Sequence, residues 1–301
     1  MKIVVTGGLG FIGSNIAHRL VSEGHEVCIL DNMHTGSEAN IDDIKSKVKL
    51  YKGNAGEIEK LGKVDVIIHQ GVYSSSPMYK ENPQLVAMAL SDWLNILEYA
   101  RVHASKIVFA STSSMYNGNK PPHREDMEVK ITDYYSETRY EMERLAKLYS
   151  DLYGMAIIGL RYFSVYGPRE EAKGKYANLI SQFLWEMQKG KQPLIFGDGL
   201  QARDFVYVDD VVEANMHAIA YNKTDFFNVG TGKMTSLNKM IEILNKKLGT
   251  DIKPRYEQNK IRNYVQETMA DTKKTSTMLG FKAGISVEDG IERLIKYYSQ
   301  R

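Results

Sequence analysis

The sequence predicts an α/β protein: a doubly wound parallel sheet followed by a smaller C-terminal α/β unit. Three observations point there. Short apolar runs alternate with longer amphipathic stretches through the first half of the chain, the rhythm of a parallel sheet with helices on both faces. A glycine-rich turn joins the first apolar run to the first amphipathic stretch. With 301 residues, 43% of them hydrophobic and 25% charged, the chain matches ordinary globular proteins and is long enough for one large or two modest domains.

Taken in order, the expected strands are 2–5, 26–30, 48–52, 64–69, 106–110 and 156–161, with amphipathic helices over 12–23 and 91–103. The pattern changes after Gly167-Pro168. Beyond it we expect a helix over 176–189, a short strand at 194–196 and the loop Gly197-Asp198-Gly199, then helices over 208–220, 236–248 and 286–299. This divides the chain into a first domain at 1–165 and a second at 166–301, with segments near 204–230 packing back on the first. No internal repeat or low-complexity linker interrupts the pattern.

Composition narrows the function. A formal charge of +2 is too small to favour nucleic acid or an anionic membrane surface. The single cysteine, Cys28, precludes an intrachain disulfide and suits a reducing compartment. The chain opens directly on an apolar strand without a secretory leader pattern, and no window approaches 18 consecutive apolar residues, so a cytoplasmic protein is expected. The seven histidines show no metal-ligand spacing.

Gly7-Gly8-Leu9-Gly10-Phe11-Ile12-Gly13 follows the first strand and opens a helix. Glycines at 7, 10 and 13 permit a tight turn and close backbone approach to a pyrophosphate, which the helix N-terminus at Phe11 and Ile12 attracts. Three spaced glycines alone fit a structural turn equally well. Asp31, at the end of the second strand, changes the balance. A carboxylate there accepts the ribose hydroxyls of NAD and repels a 2′-phosphate, so NAD is expected rather than NADP. By itself Asp31 also fits a turn cap.

A second constellation begins at Tyr135. Tyr135, Arg139, Met142 and Ala146 follow the three-and-four spacing of one helix face. That face should be buried, an unusual place for a guanidinium. A cation one turn beyond a tyrosine stabilises phenolate, suiting the tyrosine to exchange a proton with a substrate hydroxyl. A surface helix with a snorkelling arginine is the plainer alternative.

With these residues in view, the chain resembles the extended short-chain dehydrogenase/reductase family, in its nucleotide-sugar epimerase and dehydratase branch. The resemblance runs nearly end to end. It rests on the glycine loop, Asp31-Asn32, the run 111–116, the helix start 135–139, the run 160–169, Gly197-Asp198-Gly199 and the run 203–210. It implies a Rossmann-like NAD domain, a C-terminal substrate domain and a homodimer. It implies catalytic roles for Tyr135, Arg139, Thr112 and Ser113. Asn32, Asn54, Ala55, Gln70, Gly71 and Tyr162, with Tyr135 and Arg139 again, would join the glycine loop and Asp31 around NAD, and Ser164, Asn178, Arg203 and Arg262 would hold a nucleotide sugar, UDP-sugars being favoured. The chain departs from the family pattern in four places. Arg139 replaces lysine, Ser164 and Ala89 stand where asparagine is common, and Asn54 replaces aspartate. Thr268 falls near a position that limits sugar substituents in 4-epimerases.

The hydroxyl run Ser111-Thr112-Ser113-Ser114 ends a buried-strand pattern, where parallel sheets meet ligands. Capping the next turn is the plainer role for any one of these hydroxyls. Water elimination needs an acid and a base beside the threonine, and serines stand there instead. Epimerisation needs neither group, so the expected reaction is NAD-dependent epimerisation of a nucleotide sugar, with UDP-glucose and UDP-galactose as the default pair. A dehydratase, a reductase and an NAD-binding protein without activity are the competing readings.

Overall fold

A computed structural model describes residues 1–259 and 265–300. The chain begins with β1 (Lys2–Thr6), α1 (Phe11–Ser22), β2 (Glu26–Asp31), β3 (Val48–Lys52) and β4 (Val66–His69). It continues with α2 (Ser76–Glu81), α3 (Leu85–His103), β5 (Lys106–Thr112), α4 (Tyr134–Tyr153) and β6 (Ile157–Tyr162). Then come β7 (Ser164–Tyr166), α5 (Leu179–Gln188), β8 (Leu194–Phe196), β9 (Ala202–Arg203), β10 (Phe205–Tyr207) and α6 (Val208–Ala220). The described chain ends with β11 (Asp225–Val229), β12 (Thr235–Ser236), α7 (Leu237–Leu248), β13 (Arg255–Glu257) and α8 (Val287–Ser299).

Seven parallel strands form the main sheet in the order β11-β6-β5-β4-β1-β2-β3. The strand order reverses between β1 and β4, the arrangement of a Rossmann-like fold, and the crevice at the strands' C-terminal ends opens there. Residues of period two divide between its faces. Val4, Cys28, Ile67 and Phe109 pack with Trp93, Leu97, Met142 and Ala146 from α3 and α4. Ile3, Val5, Ile29 and Ile68 pack on the other side with Ile16 and Leu20 of α1 and Val212 of α6. A separate core joins α5, α7 and α8 through Phe183, Leu184, Met240, Leu244, Ile291 and Leu294.

The six expected strands of the first half all form. Helix α3 starts six residues earlier than the pattern suggested, just after Pro83, because a proline is tolerated ahead of a helix but not inside one. The expected helix over 176–189 is two elements. Gly174, at φ +49°, breaks a short 3-10 stretch over Glu171–Tyr176, and α5 starts only after its Asn178 cap. The segment 204–230 contributes to two sheets. β10 pairs with β7, and β11 extends the main sheet beside β6. Among the described residues, no helix is long and apolar enough to cross a membrane, and no cluster of three or more His, Cys, Asp or Glu could hold a metal.

Candidate active site

A cleft of about 380 Å³ lies at the C-terminal ends of the strands, where the strand order reverses. One end is the glycine loop. Gly7 has φ +68°, and a Cβ there would stand 2.6 Å from Gly71 N at the end of β4. A Cβ on Gly13 would stand 2.1 Å from Gly7 O. Both positions therefore exclude any side chain. The loop closes through Gly10 N–H donating to Gly7 O (3.0 Å) and Ser14 N–H to Gly10 O (3.0 Å). The N–H groups of Phe11, Ile12 and Gly13 are the first turn of α1, which has no side-chain cap. They are the unsatisfied donors of a helix N-terminus and line the cleft.

Asp31 lies beside them, buried, with Oδ2 accepting from Leu9 N–H (2.9 Å) and Oδ1 from Met33 N–H (2.6 Å). Burial raises its pKa, and those N–H groups oppose the shift. The carboxylate thus braces the glycine loop as well as facing the cleft, a second role that its spacing did not show. Asn32, Ala55, Gln70 and Gly71 also line the cleft. Asn54 stands behind it, its Oδ1 accepting from Asn32 Nδ2 (2.9 Å). The Tyr162 hydroxyl accepts from Gln70 Nε2 (3.1 Å) and Asn215 Nδ2 (2.9 Å), and burial pushes its pKa up to about 12. Tyr162 is therefore a neutral phenol at working pH.

At the other end, Asp133 caps α4, its Oδ1 accepting from Ser136 N–H (2.8 Å) and its Oδ2 from Ser76 Oγ (2.5 Å). That cap fixes the first turn of α4 and with it Tyr135. The Arg139 guanidinium carbon lies 5.1 Å from the centroid of the Tyr135 ring, within cation–π range. Arg139 is only 3% exposed, which rules out the snorkelling alternative. Its Nη2 donates to Tyr73 O (3.0 Å). Both Tyr135 and Arg139 line the cleft.

Thr112 and Ser113 also face the cleft. Thr112 Oγ1 accepts from Ser114 N–H (3.1 Å), so this hydroxyl is the one that caps the next turn. Behind the run, Ser111 Oγ donates to Glu143 Oε1 (2.6 Å), and Glu143 is bound by Arg161 through Nε (2.9 Å) and Nη2 (2.6 Å). That buried pair ties α4 to β5 and β6.

Of the expected substrate residues, Ser164 and Asn178 line the cleft. Both ends of the Asn178 amide are engaged, Oδ1 by Ile180 N–H (3.0 Å) and Nδ2 by Val165 O (2.9 Å). Arg203 is not brought to the cleft. Its guanidinium donates to the carbonyls of Ala202, Val265 and Gln266, because β9 turns it toward the following strand segment. Thr268 also stays outside the lining, accepting from Asp204 N–H (3.3 Å). Arg262 lies outside the described residues.

The sequence reading missed the wall formed by 72–76, together with Lys173 and Tyr176. The first of these follows β4 directly, so the strand-end rule applied to 111–114 would have found it. Lys173 gave no such signal. It reaches the cleft from a 3-10 turn, held by buried Glu170 at 2.9 Å.

A family model described as the NAD dependent epimerase/dehydratase family matches residues 3–230. A candidate UDP-glucose 4-epimerase of Methanocaldococcus jannaschii is 37% identical, over 98% of this chain and 97% of its own. A UDP-glucuronate 4-epimerase of Thermodesulfobacterium geofontis is 32% identical, over 98% and 95% respectively. The crystal structure of a UDP-glucose 4-epimerase from Thermotoga maritima with UDP-glucose superposes with a TM-score of 0.94 at 29% identity, covering 100% of this chain and 99% of that one. Fold, cleft and these likenesses agree: the chain belongs to the NAD dependent epimerase/dehydratase family.

Proposed function

We propose that the chain is an NAD-dependent nucleotide-sugar 4-epimerase, acting on UDP-glucose and UDP-galactose or a related UDP-hexose as a cytoplasmic homodimer. The observation that carries this reading is Tyr135 under the Arg139 guanidinium, in the same cleft as a glycine loop that leaves no room for a Cβ. The residues present fit NAD. The α1 N–H groups would take the pyrophosphate, Asp31 a ribose, and Gln70, Gly71 and Tyr162 the nicotinamide side. Asn32, Asn54 and Ala55 would flank the adenine. When bound, NAD supplies the acceptor that oxidises the sugar alcohol and later gives back what it took.

The chain's own residues handle the proton. Tyr135, facing the Arg139 guanidinium, removes the proton from the sugar 4-hydroxyl and returns one after the sugar has presented its other face. Thr112 and Ser113 orient that hydroxyl, and Ser164 and Asn178 border the sugar. The alternative of water elimination lacks a group to perform it. Among the described residues, the carboxylates lining the cleft are Asp31 and Asp92, which lie against Leu9 and Gly56. Diphosphate binding by Arg203 requires its carbonyl bonds to be exchanged for phosphate oxygens. Support for pairing comes from α3 and α4, which leave Leu94, Leu148 and Leu152 at 40%, 49% and 60% exposure.

Incubation of purified protein with UDP-glucose, UDP-galactose, UDP-N-acetylglucosamine or UDP-glucuronate, without added NAD, tests the reading. Interconversion at constant mass is expected for at least one pair. Loss of 18 mass units (one water) would instead mean dehydration, as the elimination reading requires. Tyr135→Phe should lower turnover by roughly 10²–10⁴-fold, the usual worth of a general base. NAD content should be unchanged. Undiminished turnover in this variant would refute the role given to Tyr135.

A further inference from the structure

Among the buried polar atoms around α4 that lack a hydrogen-bond partner are His69 Nε2, Arg139 Nε and the hydroxyls of Tyr79 and Ser136, and the first two are complementary. His69 ends β4 and is fully buried. Its Nδ1 lies 2.7 Å from Thr6 Oγ1, a hydroxyl that also accepts from Gly71 N–H (3.2 Å). One face of the imidazole stacks on Trp93, with centroids 5.5 Å apart and planes at 17°. Trp93 Nε1 donates to Met142 O (3.1 Å), and the Met142 sulfur lies 4.0 Å from Arg139 Nη1. His69 and Arg139 are thus linked through Trp93 and Met142 in one chain of contacts against α4.

The chemistry of the two atoms then limits the arrangement. Arginine only donates, whereas neutral imidazole donates from one nitrogen and accepts at the other. A proton on Nε2 would point a donor into a cluster that already holds a cation. A proton on Nδ1, donated to Thr6 Oγ1, leaves the Nε2 lone pair for the guanidinium. Leaving both atoms unmade would carry the desolvation cost of a buried donor and a buried acceptor.

We propose that His69, as the neutral Nδ1–H tautomer, is a positioning residue for Arg139, its Nε2 accepting from one buried water that in turn accepts from Arg139 Nε. With Nη2 held by Tyr73 O and Nε held through that water by His69, the guanidinium is fixed over the Tyr135 ring from two sides. Burial, reinforced by the Arg139 charge, lowers the His69 pKa to about 3, so the imidazole stays neutral wherever the enzyme works. The inference rests on the reading of Tyr135 as the proton acceptor.

Two measurements test it. Long-range ¹⁵N–¹H NMR of the histidine-labelled protein should show His69 protonated at Nδ1 and bare at Nε2 from pH 5 to pH 9, a range chosen to span about two units either side of neutrality. A proton on Nε2 overturns the proposal whatever the enzyme catalyses. In kinetics, His69→Asn keeps a donor for Thr6 Oγ1 in its amide nitrogen but loses the atom facing Arg139. The acidic limb of its kcat–pH profile should move up by about one unit, lowering kcat by about tenfold on that limb with KM nearly constant. His69→Gln places an oxygen near the Nε2 position and should recover most of that shift. In an Arg139→Lys background, which has no Nε, His69→Asn should add nothing. A folded, NAD-loaded His69→Asn enzyme with an unmoved profile refutes the proposal. Full activity in Tyr135→Phe would refute the site reading instead and leave the NMR result to decide the tautomer.

Discussion

Replacing Arg161 by methionine tests how the reading's central helix is held. Glu143 is 3% exposed and receives three hydrogen bonds, one from Ser111 and two from Arg161. Arg161→Met removes two of them and strands a carboxylate in the core, a change that costs about 3–5 kcal/mol. Against a total stability of about 5–15 kcal/mol, the loss is about a fifth or more and should lower Tm by roughly 10 °C. Glu143→Met should cost a similar amount, because the guanidinium would keep only the Tyr116 hydroxyl and Glu125 O (2.6 and 3.2 Å) as acceptors. The double variant leaves neither charge unpaired, so it should be more stable than either single, with a coupling of about 2–3 kcal/mol. The assay is urea denaturation of the NAD-saturated protein followed by tryptophan fluorescence, for which Trp93 lies in the affected core. By contrast, Lys239→Ala breaks an exposed pair with Glu242 and should change stability by less than about 0.5 kcal/mol. Single variants that add to within about 0.5 kcal/mol would refute the claim that this pair fastens α4 to the sheet.

Three further outcomes follow. Gly13→Ala puts a Cβ within 2.1 Å of Gly7 O; the loop must shift where the pyrophosphate would sit, and NAD affinity measured by calorimetry should fall at least about tenfold, roughly 1.4 kcal/mol. Leu148→Glu with Leu152→Glu places charges on the exposed face of α4; the proposed pairing predicts that the unaltered chain sediments as a dimer and this variant as a monomer. Because folding lowers the His69 pKa to about 3, the unfolded chain takes up a proton there below about pH 6.5 while the native one does not. Stability should therefore fall as pH drops through that window, by about 2 kcal/mol from this group between pH 6.5 and 5. A folded His69→Gln variant should lack that share of the slope in urea titrations.

How much of this was legible along the chain depends on the range of the interaction. Strands β1 to β6, the glycine loop, Asp31 and the face shared by Tyr135, Arg139, Met142 and Ala146 could be read from the sequence alone. Their signals are periods of two and of three-to-four residues, or a turn only glycine can make, and such signals are written in neighbouring residues. Tertiary structure decided what each polar group meets. Thr112 and Ser113 look alike in sequence, yet Thr112 caps the turn. Arg203 has the right residue type for phosphate but spends its donors on carbonyls 62 and 63 positions away. Glu143 sits one turn beyond Arg139 and pairs instead with Arg161 from β6. His69 and Arg139 share one chain of contacts, through Trp93 and Met142, only because β4, α3 and α4 pack around Trp93. A buried hydrogen bond depends on which distant donor or acceptor the fold delivers, and the residue types near it in the chain do not encode that delivery.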